Sequence, residues 1–330
     1  MAEFFSRLLA PLVDQFAKLE PWRGNCAEGQ FANFLGVVTD LEFVARHHPS
    51  NVTQTDDEGK TVIQPPRISD GEPFFEYAAI HKAIQNANQN DQDKFVMVEL
   101  GGGYAARCVD AYQALQSQKP MPAQLVIVEA EPTHFQWAKR HLRNNGIDPD
   151  DHWLINAAVC PDYDPVMFMQ GAGTYYNSIV EPGALDRLVE QVVALDNTRQ
   201  LLLNLLATGE TGVQVPYNSS IGSDLFRYKF VSALPLADIL APLAIVDLID
   251  IDIQGAEKIV LPPAMEALNR RVKRIHIGTH GAGIHSEIWD LFFDNEWNCE
   301  IDFPPDTHNT TPWGDFETSD GILHLSNPRL

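Results

Sequence analysis

Runs of apolar residues set off by polar ones recur along the chain. The clearest is Phe95 to Leu100, which follows the polar run Asn90 to Lys94 and reads as a buried strand. Three glycines, Gly101 to Gly103, come next, and Ala105 to Leu115 is rich in helix formers. Strand, glycine turn and helix make the opening unit of a doubly wound α/β domain, whose ligand sits at the carboxyl ends of the strands. The alternation continues. Gln124 to Val128 predicts a second strand, and Pro132 opens a helix that turns Phe135, Ala138 and Leu142 to the sheet. Trp153 to Val159 predicts a third strand, Ile245 to Ile253 a fourth and Val272 to Ile277 a fifth. A helix after Gln254 is expected to be interrupted by Pro262 and Pro263 before it resumes to Leu268. Ile284 to Asn295 predicts another helix. Trp297 to Phe303 and Gly321 to Leu325, joined by an irregular loop, predict an antiparallel pair of strands. The expected fold class is α/β, a doubly wound seven-stranded sheet, mostly parallel with an antiparallel C-terminal hairpin.

The pattern differs before residue 73. Residues 3–19 set Phe4, Phe5, Leu8, Leu9, Leu12, Val13 and Phe16 on one face at helical spacing, and Pro11 is expected to kink or split that helix. Basic residues are sparse there, so the stripe fits docking on its own domain better than a membrane surface; a homodimer surface stays open. Leu41 to His48 predicts a short helix, and residues 49–72 a polar loop that covers a site. Pro73 to Ala87 predicts a helix with Glu76 and Tyr77 on it, which could reach a ligand but read more readily as ordinary surface and core. The chain therefore divides into an N-terminal helical cap and loop, residues 1–72, and an α/β domain, residues 73–330. Residues 161–232 interrupt the alternation as an insertion, with a helix near Ala184 to Ala194. The turn Tyr175 to Ser178 within it is expected to approach the site.

Composition narrows the partners. Of 330 residues, 45% are hydrophobic and 21% charged, ordinary values for a globular protein. The net charge of −22 repels phosphate backbones and acidic membranes, so neither nucleic acid nor membrane is expected as a partner. Cys26, Cys108, Cys160 and Cys299 are far apart and form no CxxC, which reads as free thiols in a reducing compartment. The first twenty residues do not read as a signal peptide and no apolar stretch is long enough to span a bilayer, so a cytoplasmic location is expected.

Chemistry enters at the glycine turn. Gly101-x-Gly103-x-x-Ala106 matches the dinucleotide fingerprint, with Glu129 as a ribose acid. Glu99, just before the glycines, tips the choice. A carboxylate there repels a pyrophosphate and suits a cationic ligand, such as the ammonium end of S-adenosylmethionine. Glu129, 28 residues after Gly101, is placed to accept hydrogen bonds from both ribose hydroxyls. Asn156 and Ala157, with Ala130, are expected near an adenine ring, the alanines leaving room and the amide reading its edge. Asp250 and Asp252 alternate in the fourth strand and project to one face, and a buried acid is costly unless it binds something.

These pieces resemble the Rossmann-like class I methyltransferase fold and, more narrowly, the FkbM family of S-adenosylmethionine-dependent methyltransferases. The matching stretches are Val98-Glu99-Leu100-Gly101-Gly102-Gly103-Tyr104, Val128-Glu129-Ala130-Glu131-Pro132 and Ile251-Asp252-Ile253-Gln254-Gly255-Ala256-Glu257. The resemblance implies O-methylation of a small-molecule or sugar hydroxyl. It departs at Asp250 and Gln254, where the family commonly has lysine and glutamate. The residues expected to hold the cofactor are Glu99, Gly101, Gly103, Tyr104, Glu129, Ala130, Asn156, Ala157 and Asp252. His280 is the first choice for general base, since an unperturbed imidazole titrates near neutral pH, and Asp250 the second. Asp250, Asp252, His276, His280 and His285 are weighed as a metal site and set aside: His276 and His280 would stand ~13 Å apart on an extended chain. A non-catalytic S-adenosylmethionine-binding protein and a NAD-dependent oxidoreductase are the alternatives.

Overall fold

A computed structural model describes residues 2–44, 54–56, 59–89, 93–170, 178–179, 210–211, 216–219, 222–225 and 227–330. Its centre is a seven-stranded sheet: β1 (Phe95–Leu100), β2 (Ala123–Val128), β3 (Trp153–Ile155), β4 (Leu248–Ile251), β5 (Arg274–Thr279), β6 (Asn298–Phe303) and β7 (Gly321–Ser326). The spatial order is β6-β7-β5-β4-β1-β2-β3. All neighbours from β5 to β3 are parallel, and β7 runs antiparallel to both β5 and β6. β7 slots between β5 and β6, so the C-terminal hairpin closes one end of the sheet.

The central strands are apolar throughout because helices cover both faces. On one face lie α2 (Glu72–Gln89), α3 (Ala106–Gln118) and α4 (Pro132–Asn144), packed on Phe95, Met97, Leu125, Ile127 and Leu248. On the other lie α5 (Leu236–Leu240), α6 (Glu257–Arg271) and α7 (Ala282–Asp294), packed on Val98, Leu100, Val126, Ile249 and Ile275. The register breaks the apolar pattern in one row. Glu99, Asp250, His276 and His324 are paired neighbours across β1, β4, β5 and β7, and all four are buried. They lie on the α2 side, where Phe75 meets His324 with ring centroids 6.2 Å apart.

The N-terminal segment holds α1 (Ala2–Phe16), with Pro11 inside it and no break. Leu9 and Phe16 are buried, and Phe16 packs 4.9 Å from Phe74 of α2, so this helix docks on its own domain. Beside the helix, short strands appear where a loop was expected: Trp22–Gly24 pairs with Thr61–Ile63, which pairs with Gln54–Thr55. Gln30–Ala32 pairs with Val38–Asp40. Leu41–Val44 is a 3-10 turn, and 45–48 lie outside the described residues.

Other expectations need correction. The third strand ends at Ile155. Ala158–Val159 then pairs with Ala233–Leu234 in a separate parallel ladder, which ties the end of the insertion to the sheet edge. The fourth strand stops at Ile251, so Asp252 stands beyond the sheet. α6 runs through Pro262 and Pro263 without interruption. Its apolar face, Val260, Leu261, Ala264, Met265 and Leu268, is buried on the sheet and outweighs the missing backbone bonds. The irregular loop before β7 folds into a hairpin, Thr307–Thr311 with Gly314–Thr318. The helix expected near Ala184 to Ala194 and residues Tyr175 to Asn177 lie outside the described residues. Ser178–Ile179, just after them, pairs with Phe168 and Met169. Among the described residues, no helix is long and apolar enough to cross a membrane.

Candidate active site

A cavity of about 540 Å³ opens at the carboxyl ends of β1, β2, β4 and β5. The glycine turn forms its floor. Gly101 has φ of +78°, and a β-carbon there would run into the Asp252 carbonyl oxygen. Its lack of a side chain serves the crossing of two backbones, not a ligand. Gly103, at φ +52°, has nothing within 4 Å of where a β-carbon would stand, so its open side belongs to the cavity.

Two buried carboxylates brace this turn. Glu99 does not hang free in the mouth as the sequence suggested. Its Oε1 accepts from the Arg107 N–H at 3.2 Å and its Oε2 from the Cys108 N–H at 2.8 Å. It thereby satisfies the start of α3, whose cap residue Ala105 sits in the left-handed region at φ 64° and offers no side-chain bond. Burial pushes the Glu99 carboxyl up to about 7 against those bonds. Glu129 Oε2 accepts from Gly103 N–H at 2.7 Å and its Oε1 from Glu131 N–H at 2.6 Å. Burial pushes it up to about 8. Both carboxylates still line the cavity and keep lone pairs for a ligand.

Beyond Glu129 the wall turns apolar, with Ala130, Ala157, Val159, Phe168 and Ile179. Small residues leave a slot fit for a flat ring, and Phe168 and Ile179, paired across two strands of the insertion, line it as well. Asn156 stands apart from the cavity lining. Its Nδ2 donates to the carbonyls of Glu129 at 2.8 Å and Ala130 at 3.2 Å, so the amide clamps the loop. Tyr104 lines the cavity, its ring stacked on Phe43 of the N-terminal segment at 5.4 Å.

The opposite wall is ionic. Asp250 lies in β4, buried; burial, then the charge of Glu99, raises its carboxyl well above the usual range. Its neighbour His276 is kept neutral by burial, with Nε2 3.9 Å from Asp250 Oδ1. Asp252 has its side chain half exposed to the cavity and accepts from Gln254 Nε2 at 2.7 Å. Gln254 adopts φ 54°, a left-handed turn that starts the approach to α6. His280 stands between two acids: Nδ1 is 3.1 Å from Glu257 Oε1 and Nε2 3.3 Å from Asp252 Oδ1. Burial alone would lower His280, but those two carboxylates outweigh it and push it up to about 11. Burial also works against ionised Asp252, yet His280 outweighs it and leaves Asp252 below the usual carboxylate range. Carboxylates thus face both ring nitrogens of His280 and favour its protonated form. Of the two candidate bases, His280 is held between carboxylates and Asp250 lines the cavity beside His276.

Sequence reasoning missed several members. Arg107, on the first turn of α3, pairs with Glu76 Oε2 at 2.7 Å and with Asp110 Oδ2 at 3.2 Å. Glu257, completely buried, also accepts from the N–H groups of Ile253 at 3.2 Å and Gly255 at 3.3 Å. Glu72 and Asp320 close the cavity from α2 and from the residue before β7. Only Glu257 had a signal, its place in the Asp252-x-Gln254-Gly255-x-Glu257 run; Arg107, Glu72 and Asp320 are brought to the site by α3, α2 and the turn before β7. Tyr77 is not part of the cavity lining; its hydroxyl accepts from Asn33 Nδ2 at 3.0 Å. Among the described residues, no group of three or more His, Cys, Asp or Glu is arranged to hold a metal ion.

The residues present fit S-adenosylmethionine: a carboxylate at ribose distance from an open glycine, an apolar slot for a ring, and an acidic wall that suits a cation and repels a diphosphate. No curated protein matches the chain significantly in sequence. Among solved structures it is similar to the methyltransferase FkbM from Methylobacillus flagellatus KT, at 10% identity and TM-score 0.41, covering 76% of this chain and 59% of that one. It is also similar to a precorrin-6y methyltransferase from Geobacter metallireducens GS-15, at 10% identity and TM-score 0.33, covering 75% and 85%. The model of the FkbM methyltransferase domain matches residues 50–300, a span that takes in the glycine turn, Glu129, Asp252 and His280, and the chain accordingly belongs to that family of S-adenosylmethionine-dependent methyltransferases.

Proposed function

We propose that the enzyme methylates a hydroxyl oxygen on a small molecule or sugar, with Asp250 as the group that takes the proton. When bound, S-adenosylmethionine supplies a methyl group on a positively charged sulfur. The chain's own part is to hold, orient and deprotonate. Glu129, fixed by the Gly103 N–H, faces the ribose, and the slot of Ala130, Ala157 and Phe168 takes the adenine. Asp252, kept ionised by His280, stands toward the cationic end. The observation that carries the reading is Asp250. It is a cavity-lining carboxyl beside His276, and it is distinct from the carboxylates that brace backbone. Burial raises this carboxyl, and the positive charge of a bound cofactor works against that by favouring its ionised form, the form that takes an alcohol proton.

The test is transfer of a labelled methyl group to hydroxylated compounds, with the product bond identified by NMR. Asp250→Asn is expected to lower kcat by about 10²- to 10⁴-fold, the usual worth of a general base, and to leave S-adenosylhomocysteine binding intact. An N-methyl product, or full activity of the asparagine variant, would overturn the assignment.

A further inference from the structure

The N-terminal segment reaches the glycine turn through a short relay of side chains. The strand Val38–Asp40 lies against the end of α4, where Asn145 Oδ1 accepts from the Val38 N–H at 2.8 Å and its Nδ2 donates to the Val38 carbonyl at 2.9 Å. One residue on, Thr39 Oγ1 is 3.1 Å from His141 Nε2, and His141 Nδ1 is 3.0 Å from the Tyr104 carbonyl oxygen. Thr39 and His141 are both buried, and burial pushes His141 down to about 4, so its neutral ring carries a single N–H. A carbonyl only accepts. The proton is therefore on Nδ1, and Nε2 accepts from the Thr39 hydroxyl.

A second contact reaches the same residue independently. Phe43 is completely buried; its ring stacks on that of Tyr104, with centroids 5.4 Å and planes 25° apart, and lies 5.2 Å from Trp137. Trp137 stacks in turn on His134 at 4.9 Å, and Tyr104 and His134 both line the cavity. Arg140 fixes the turn that carries Phe43. It pairs with Asp40 at 2.8 Å and with Glu42, and its guanidinium lies 4.6 Å from the Phe43 ring centroid. Tyr104 directly follows Gly103, whose N–H fixes Glu129. Its backbone and its ring are thus both held from outside the α/β domain, beside the carboxylate given to the ribose.

We propose that Thr39 and Phe43 are positioning residues for the cofactor: through His141 and by direct stacking they set the backbone and ring of Tyr104, which makes residues 39–43 part of the S-adenosylmethionine site. Both lie ahead of residues 50–300, the span of the family match. A wall residue held in place before the ligand arrives spares binding the cost of ordering it. The inference rests on the cofactor and is independent of which acceptor atom is methylated.

The experiment measures S-adenosylhomocysteine binding to the full chain by calorimetry, with urea unfolding of each variant and nitrogen NMR of the imidazoles. Thr39→Val keeps the shape and loses the hydroxyl. It is expected to raise Kd about three- to tenfold, the worth of one buried hydrogen bond, and Thr39→Ser is expected to restore wild-type affinity. Phe43→Leu keeps much of the bulk, loses the ring stack and is expected to weaken binding by a similar factor. Phe16→Leu loosens the N-terminal segment at its contact with Phe74 and is the control, expected to lower the urea midpoint with Kd unchanged. In the unaltered chain, His141, assigned by its loss in His141→Gln, is expected to show a protonated Nδ1 and a bare Nε2 at about pH 7. Wild-type affinity in both Thr39→Val and Phe43→Leu, no recovery in Thr39→Ser, or a proton on His141 Nε2 overturns the inference. So does a loss of affinity in Phe16→Leu as large as in Thr39→Val, because loosening the segment anywhere would then suffice. None of these outcomes touches the hydroxyl reading, which is tested by the methylated product.

Discussion

His280 shows how two neighbours convert a residue's role. An isolated imidazole near pH 7 is a base; set between Asp252 and Glu257 it is a fixed cation. Because its value in the folded chain, about 11, lies above the ordinary 6.5, the stabilisation it gives is fully present below about pH 6.5. It is lost only as pH rises toward about 11. The ring of His280 is therefore expected to show no titration between about pH 6 and 8 in NMR spectra. A midpoint near 6.5 would mean that the clamp is not formed. The glycines make a second contrast. Gly101→Ala combines positive φ with a collision against backbone, and is expected to lose more than about 3 kcal/mol of stability in urea unfolding, beyond strain alone. Gly103→Ala meets no atom, so it is expected to cost only about 1–2 kcal/mol while weakening S-adenosylhomocysteine binding, because the new methyl enters the cavity. Equal losses of stability in the two variants would show that the turn is not built this way.

At the scale of elements, strand ends and registers place the chemistry. Asp250 pairs in register with Glu99 on one side and His276 on the other, so three strands deliver one ionisable row to the cavity wall. α6 begins close to that wall and carries Glu257 into it. Pro262 and Pro263 sit on the exposed side of this helix, where each deletes a backbone bond and neither fills the core. Pro262→Ala is expected to stabilise the protein by up to about 3 kcal/mol in urea unfolding, with unchanged slope. A destabilised variant would show that the proline ring itself makes a needed contact.

Over the whole molecule, an acidic cavity lies within an acidic protein of net charge −22. Glu72 and Glu129, each pushed up to about 8, and Glu99, up to about 7, all lie above the ordinary carboxylate value of 4.5. Their contribution to stability is therefore greatest below about pH 4.5 and is lost as pH rises toward about 8. A cationic cofactor favours their ionised forms. The rise in unfolding temperature on adding S-adenosylmethionine is expected to be larger at about pH 7.5 than at about pH 5.5, by mass action on the folded state. An equal or smaller rise at the higher pH would mean that these carboxylates do not meet the cation.

The sequence by itself determined the alternation of strand and helix, the glycine turn, the acid at Glu129 and the family. These are written in local pattern: a buried strand must be apolar, and a backbone in the left-handed region favours glycine. The uninterrupted α6 and the hairpin before β7 were not legible, because packing outweighed local propensity in the first and thin polar strands hid the second. Only the tertiary structure decided what the ionisable groups do. Glu99 bonds the start of α3, Asn156 clamps a loop and His280 lies between two carboxylates, while Arg107, Glu72 and Asp320 join the cavity from elements far apart in the chain. A charge depends on what surrounds it across the sheet, and those neighbours are set by register and burial, which the order of residues alone does not display.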